Sequence, residues 1–350
     1  MQNCKFNKEL IFAQIVKVNQ DSVKEITVAQ QILQANLDGF SRVIAHGNLP
    51  GNLMYIIMPK YGPSLKQMLR RSRYKRFSIK SSVQIGIQLL DRLSDLHSIG
   101  YIHADLKPDN ILLASANRKI KKSSKIILID YGISRSYRDA FGDHVPFRKK
   151  VPFCGNLLFA SKNAFLQYEQ SRRDDLISLL YLVSFFVTGD LAWIVELRSN
   201  EDEFFDYVAK VKINLTPEEI CTGSARGLLP FAREIFSYDY LDKPDYPKLK
   251  HMLVKYLLAF NVTPNQRFDW SKFQLNEPKV DQNDRPGNEN VEEALEHEDF
   301  QRVDITDLSP RKLNQVREQQ PIIVDNSIVK RVSKINLRVC THIMQYSGCQ

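Results

Sequence analysis

Residues 101–113 read YIHADLKPDNILL. An apolar pair leads into His103, Asp105, Lys107 and Asn110, and the apolar run ILL closes the stretch. Downstream, KIILIDYG (125–132) is apolar until it ends in a charge, Asp130, followed by Tyr131 and Gly132. It reads as a strand that delivers a carboxylate to a turn. One acid at a strand end is commonplace. Joined to HxDxKxxN upstream, it completes a set with a definite chemistry. Asp105 can orient a hydroxyl and accept its proton, and Lys107 can neutralise charge on a moving phosphoryl group. Asn110 and Asp130 offer hard oxygen ligands of the kind Mg2+ prefers.

Working outward, residues 9–19 (LIFAQIVKVNQ) read as a strand. Residues 22–36 have helical spacing through Val23, Ile26, Ala29 and Leu33. Two strand-like runs, SRVIAHG and LMYIIM, flank the turn signal NLPGN. After GPS at 62–64, amphipathic segments dominate; 81–98 places Val83, Ile87, Leu90 and Leu93 on one face. LISLLYLVSFFV (176–187) is the most apolar stretch, shorter than the roughly 20 residues a bilayer needs, and reads as a buried helix. A small strand-rich part followed by a larger helical part is the expected α+β architecture. The stretch 276–300 is polar and acidic with Pro and Gly, the composition of a disordered segment.

The chain has 350 residues, 43% of them hydrophobic, enough for a sizeable core. Five cysteines (4, 154, 221, 340 and 349) are scattered, without CxxC or Cys/His ligand spacing. This argues against a disulfide framework or zinc site and for a reducing intracellular setting, cytoplasm or nucleus. The N-terminus has no secretory pattern. Net charge is +9, yet residues 275–350 hold 10 Lys/Arg against 13 Asp/Glu, which leaves +12 on residues 1–274. The basic clusters RRSRYKR (70–76), RKIKKSSK (118–125) and RKK (148–150) read as solvated loops or a surface for acidic partners. No nucleic-acid motif accompanies them, so nucleic acid is not an expected partner.

Several ordered blocks then point one way. MPKYGPSL (58–65), KPDN (107–110), SYRDA (136–140), FCGNLLFASKN (153–163), EQSRRDDLISL (169–179), LDKPDY (241–246) and RFDW (267–270) resemble a eukaryotic protein kinase of the casein kinase I family. The resemblance covers residues 9 to about 273. It implies a bilobal protein-kinase fold: a small strand-rich N-lobe with hinge over residues 1–61, a helical C-lobe over 62–273, and a largely disordered tail over 274–350. It implies a monomeric serine/threonine kinase acting on protein substrates with ATP and Mg2+. Asp105 would be the catalytic base, Lys107 the phosphate-contacting lysine, and Asn110 and Asp130 the magnesium ligands. Asp175 would anchor the catalytic loop, with Arg173 as a salt-bridge residue. Lys17 would pair the ATP phosphates, Met58 would border the adenine, and Lys60 and Tyr61 would offer it backbone groups.

The pattern also breaks. No glycine precedes Gly39, so the family's glycine-rich phosphate-covering loop is absent and the N-lobe is incomplete against that pattern. Ala29 stands where the glutamate that holds the lysine belongs; Glu25, one turn earlier, can substitute only if the helix shifts or rotates. Ala104 replaces an arginine that in many kinases pairs with a phosphorylated activation loop. Asn156 keeps a hydrogen-bonding side chain near the base, while Leu158 and Thr222 replace the two cations that grip a phosphorylated or acidic substrate residue. The alternatives are therefore an incomplete kinase chain and a weak or silent kinase-like binding scaffold. Retention of Asp105, Lys107, Asn110 and Asp130 together speaks against the second.

Overall fold

The computed structural model describes residues 11–271 apart from 73, 116–123 and 195–200. The expectations for the tail, and for most of the 118–125 basic cluster, lie outside these residues. The N-terminal part is a three-stranded antiparallel sheet ordered β1 (Ile11–Lys17), β3 (Leu53–Pro59), β2 (Ala45–Leu49). The turn at 50–52 uses Gly51 and Asn52, both at positive φ, which a tight reversal requires. Between β1 and β2 lies α1 (Gln20–Gln34), started by an Asn19/Ser22 capping box.

Register fixes which face meets the helix. Val16 pairs with Met54 and Gln14 with Ile56, and alternation puts this set on one side. Val16, Met54, Ile56 and Met58 pack with Ile26 of α1. The helical face expected from Val23, Ile26, Ala29 and Leu33 is half wrong: Val23 is 52% and Leu33 54% exposed, while Ile26, Val28, Ala29 and Ile32 are buried. The sheet covers one side of α1 and the helical body another, so the buried stripe straddles two neighbours instead of following one seam. SRVIAHG likewise becomes strand only from Ala45.

The body is built on α3 (Ile79–Ser98) and α5 (Arg172–Thr188), with the short α4 (Lys162–Phe165) between them in the chain. Val83, Ile87, Leu90 and Leu93 of α3 are buried, as the spacing implies. α5 is buried almost all round from Leu176 to Val187, which is what a helix apolar on every side must do in a large core. No helix among the described residues is long and apolar enough to cross a membrane. RFDW closes this body onto the start of α3: Asp269 accepts from Lys80 Nζ (3.1 Å) and Ser81 Oγ (3.0 Å). Trp270 stacks on Phe77 at 4.9 Å.

Two short ribbons present the YIHADLKPDNILL stretch. β4 (Tyr101–Ile102) pairs with β7 (Arg135–Ser136), and β5 (Ile111–Leu113) pairs with β6 (Ile126–Leu128). Residues 103–110 therefore span the gap between two anchored strands, and Asp130 emerges just past β6. The connector from β3 runs alongside: Gly62 N–H donates to Leu113 O (2.7 Å) and Leu113 N–H to Pro63 O (3.0 Å). A β-carbon at Gly62 would come within 2.7 Å of the Ser115 carbonyl carbon, so only glycine allows this approach. α2 (Leu65–Arg71) then begins at Ser64, whose side chain caps Gln67 N–H.

Candidate active site

Asp105, Lys107 and Asn110 meet in one hydrogen-bonded cluster. Asp105 Oδ2 accepts from Lys107 Nζ at 2.5 Å and from Asn110 Nδ2 at 3.0 Å, and Asn110 Nδ2 also reaches Asp105 O at 3.0 Å. The amide thus spends its donor side on Asp105 and leaves Oδ1 as a ligand oxygen. Asp130 is tied in by its neighbour: Ile129 N–H donates to Asn110 O at 3.0 Å. Asp130 adopts φ 68° and Ala104 φ 65°. Each is a left-handed conformation that a residue with a β-carbon holds at a cost of about 1–3 kcal/mol.

The force holding Ala104 there is Asp175. Its two oxygens accept the consecutive His103 and Ala104 N–H groups at 2.7 and 2.9 Å, and His97 Nε2–H adds a third bond at 2.8 Å. Burial alone would raise this carboxyl, but the His97 bond, the His97 and His103 rings and the His103 N–H outweigh it and hold it below the ordinary range. His97 is itself fixed by Tyr246, whose hydroxyl meets Nδ1 at 2.5 Å. His103 Nδ1 accepts Asp105 N–H (3.2 Å), so its Nε2–H donates to Ile129 O (3.1 Å). One imidazole therefore links the loop bearing Asp105 to the strand end bearing Asp130. Ala104 itself packs against Ile102 and Tyr137; what the fold demands at this position is its backbone.

Tyr131 adds a bond that phenylalanine could not make. Its buried hydroxyl donates to Leu128 O (2.7 Å) and accepts from Ser41 N–H (3.1 Å), tying the segment between α1 and β2 to the β6 turn. Burial, partly offset by the Ser41 bonds, pushes this phenol up. Asp174, beside Asp175, serves the other flank: it accepts from Ser161 Oγ (2.6 Å), Asn163 Nδ2 (2.8 Å) and Ser171 N–H (2.7 Å). The sequence assigns no role to His97, His103, Tyr131 or Asp174. The doubled acid in RRDD was the available signal for Asp174.

α1 contributes acid to the site. A β-carbon at Gly132 would lie 3.5 Å from Asp130 Oδ1 and 3.6 Å from Asp21 Cβ, so the first turn of α1 covers the turn after Asp130. One turn along, Glu25 is half-buried; burial, and then the charge of Asp130, push its pKa up to about 7. Glu25 is therefore within electrostatic reach of Asp130, but it does not make the substitution that the sequence allowed only if the helix shifted or rotated. It does not hold Lys17. Strand alternation sends Val16 toward α1 and Lys17 to the opposite face. Lys17 is exposed there and pairs with no acid among the described residues. Met58 packs with the Ile26–Met54–Ile56 cluster, Lys60 is exposed, and Tyr61 hydroxyl accepts Arg42 N–H at 3.2 Å. Asn156 Oδ1 accepts Leu158 N–H at 2.9 Å.

The donor set fits a magnesium ion. Asn110 Oδ1 and the Asp130 carboxylate are hard oxygens, and Asp130 has no cationic side chain paired to it among the described residues. Glu25 beside it raises the local negative charge, which a divalent cation relieves. The Glu25 shift has a sign that can be measured. A carboxyl raised from 4.5 to about 7 binds the extra proton in the folded state, so stability falls as pH rises through that window. Glu25→Gln is expected to stabilise the metal-free protein by about 2 kcal/mol at about pH 8. The gain should vanish below about pH 4, where the carboxyl is protonated in both states. Urea melts in chelator check this; identical midpoints at the higher pH would show that burial and the charge of Asp130 do not raise Glu25.

A family model described as protein kinase domain matches residues 6–229, more than half of the chain and the whole of the cluster just described. The strand-containing N-terminal part, the helical body and the loop between β4 and β5 are arranged accordingly, and the chain belongs to the protein kinase domain family.

Proposed function

We propose that this protein kinase is catalytically competent and of casein kinase I type, transferring the γ-phosphate of ATP to serine or threonine hydroxyls of proteins. The observation that carries the reading is the intact cluster: Asp105, Lys107 and Asn110 bonded to one another, with Asp130 held beside Asn110 through Ile129.

In this reading Asp105 turns Oδ2 to Lys107 and Asn110 and keeps Oδ1 for the substrate hydroxyl, whose proton it accepts. Lys107 is 26% exposed at its side chain, free enough to transfer its contact from Asp105 to a phosphoryl oxygen. Asn110 and Asp130 would hold Mg2+, which screens phosphate charge when bound with ATP. Met58, Lys60 and Tyr61 lie on the connector that would border the adenine, and Lys17 is the β1 cation proposed for the phosphates. Because Glu25 faces Asp130 and leaves Lys17 unheld, weak ATP affinity is expected. The casein kinase I type and the serine/threonine preference rest on MPKYGPSL, EQSRRDDLISL and LDKPDY. With Leu158 and Thr222 in place of cations, the family's preference for phosphorylated substrates does not extend to this chain.

Unheld Lys17 favours the second reading, a silent scaffold. Phosphoamino-acid analysis of an acidic protein incubated with the chain and Mg-ATP separates the two. Phosphoserine or phosphothreonine supports the kinase, phosphotyrosine alone removes the residue preference, and unmodified protein with ATP still bound supports the scaffold.

A further inference from the structure

Lys212 lies in the last turn of α6 (Glu201–Asn214), and its relative exposure is 0%. Burying an ammonium costs several kcal/mol unless its donors are satisfied. Here all three are. Nζ donates to the carbonyls of Leu157 (3.0 Å), Leu158 (2.7 Å) and Ala160 (2.8 Å). It also lies 5.1, 5.0 and 4.7 Å from the ring centres of Phe165, Tyr181 and Trp193. Among the described residues no carboxylate pairs with it. Burial drives its pKa well below the ordinary lysine range; the carbonyls and ring faces oppose that by favouring the charged form. The whole hydrogen-bonding capacity of one cation is thus spent on one strip of backbone.

The position of that strip gives the arrangement a purpose. Residues 153–163 follow directly against the catalytic loop: a β-carbon at Gly155 would lie 3.0 Å from Ala104 O and 3.2 Å from Ala160 Cβ. Ala104 immediately precedes Asp105. Behind the strip, Trp193 Nε1–H adds a bond to Leu158 O at 2.8 Å, Gln170 holds Cys154 O at 2.9 Å, and Asp174 holds Ser161 and Asn163. On the other side, residues 153–158 are half-exposed. A polypeptide whose hydroxyl reaches Asp105 must lay its flanking residues on this surface.

We propose that Lys212 is a positioning residue for the protein substrate: by pinning carbonyls 157, 158 and 160 from behind, it sets the shape of the platform that receives the chain next to the phosphorylated hydroxyl. The proposal rests on the kinase reading above. It concerns the protein substrate alone, since the cage touches neither the connector at 58–61 nor Asn110 and Asp130.

The test compares full-length wild type with Lys212→Met, which keeps an unbranched side chain and removes the charge, and Trp193→Phe, which removes one donor to Leu158 O and keeps a ring. Four quantities are read: KM for an acidic protein substrate, kcat, KM for ATP, and slow ATP hydrolysis without protein. Lys212→Met should raise the protein KM about tenfold or more, with ATP KM and protein-independent hydrolysis within about twofold of wild type. Trp193→Phe should raise the protein KM about two- to threefold, again without touching the ATP terms. An unchanged protein KM, or loss of ATP hydrolysis in parallel with phosphotransfer, overturns the proposal. If Lys212→Met shows no cooperative melt, Trp193→Phe decides by the same criterion. A wild-type chain that transfers no phosphate would instead overturn the kinase reading, and this role with it.

Discussion

Asp105→Asn is expected to lower kcat for phosphate transfer by about 10²–10⁴-fold while leaving the fold in place. The amide matches the carboxylate in shape, but it cannot take the hydroxyl proton. Its surroundings predict little structural damage. The Asp105 side chain is 10% and that of Lys107 26% exposed, and losing a partly exposed ion pair costs on the order of 1 kcal/mol. Steady-state kinetics at saturating Mg-ATP, paired with a urea melt, separate the two quantities. A variant that retains wild-type kcat would mean that Asp105 orients the substrate without acting as a base.

Asp175→Ala should have the largest effect on stability. Three N–H donors converge on this buried carboxylate: His97 Nε2, His103 N and Ala104 N. Each loses its partner in the variant, and a stranded buried donor costs about 1–3 kcal/mol. Some of that is relieved by rearrangement of His97, so the expected loss is about 3–5 kcal/mol, typical of breaking a buried charged pair. Activity should fall further than stability explains. Ala104 holds φ 65° only because its N–H is anchored, and Asp105 is the next residue. Asp175→Asn keeps the volume but turns an amide N–H toward another donor, so it should fall between wild type and alanine. Urea midpoints and kcat measured on the folded fraction are the readout. If alanine leaves both unchanged, the loop is held instead by the Ser134–His103 and His103–Ile129 bonds.

The two predictions draw on parts of the protein that differ in how visible they are in the sequence. The cluster around Asp105 was legible because it is local: its donors and acceptors lie within five residues of one another. Asp130 was legible because a strand that ends in a charge before glycine has few uses. The scaffold beneath them was not. His97 sits at the end of an amphipathic helix and meets Asp175 across 78 residues of sequence, and nothing near it marks it as an anchor. Lys212 reads as a solvated helix lysine in DYVAKVKIN, because the carbonyls it holds lie 52–55 residues away.

In α1 the difficulty was different in kind. Periodicity established a helix, with one apolar stripe through Val23, Ile26, Ala29 and Leu33. The sheet buries Ile26 and the helical body buries Val28 and Ile32, while Val23 and Leu33 stay exposed. The same placement leaves Glu25 half-buried and within reach of the Asp130 charge, although alignment by spacing had put Ala29 at the critical position. Ala104 was legible as a departure, but its consequence was not. Its side chain packs in a small apolar cluster, and what the site uses is its N–H on Asp175.

The most direct test of the account is incorporation of labelled phosphate from Mg-ATP into an acidic protein by the full chain, run with and without a chelator of divalent cations. Metal-dependent incorporation into serine or threonine is the predicted result: the Asp105–Lys107–Asn110 cluster and Asp130 would then be a working catalytic site. ATP bound by the folded chain with no incorporation under either condition would contradict the account and leave a kinase fold that binds without transferring.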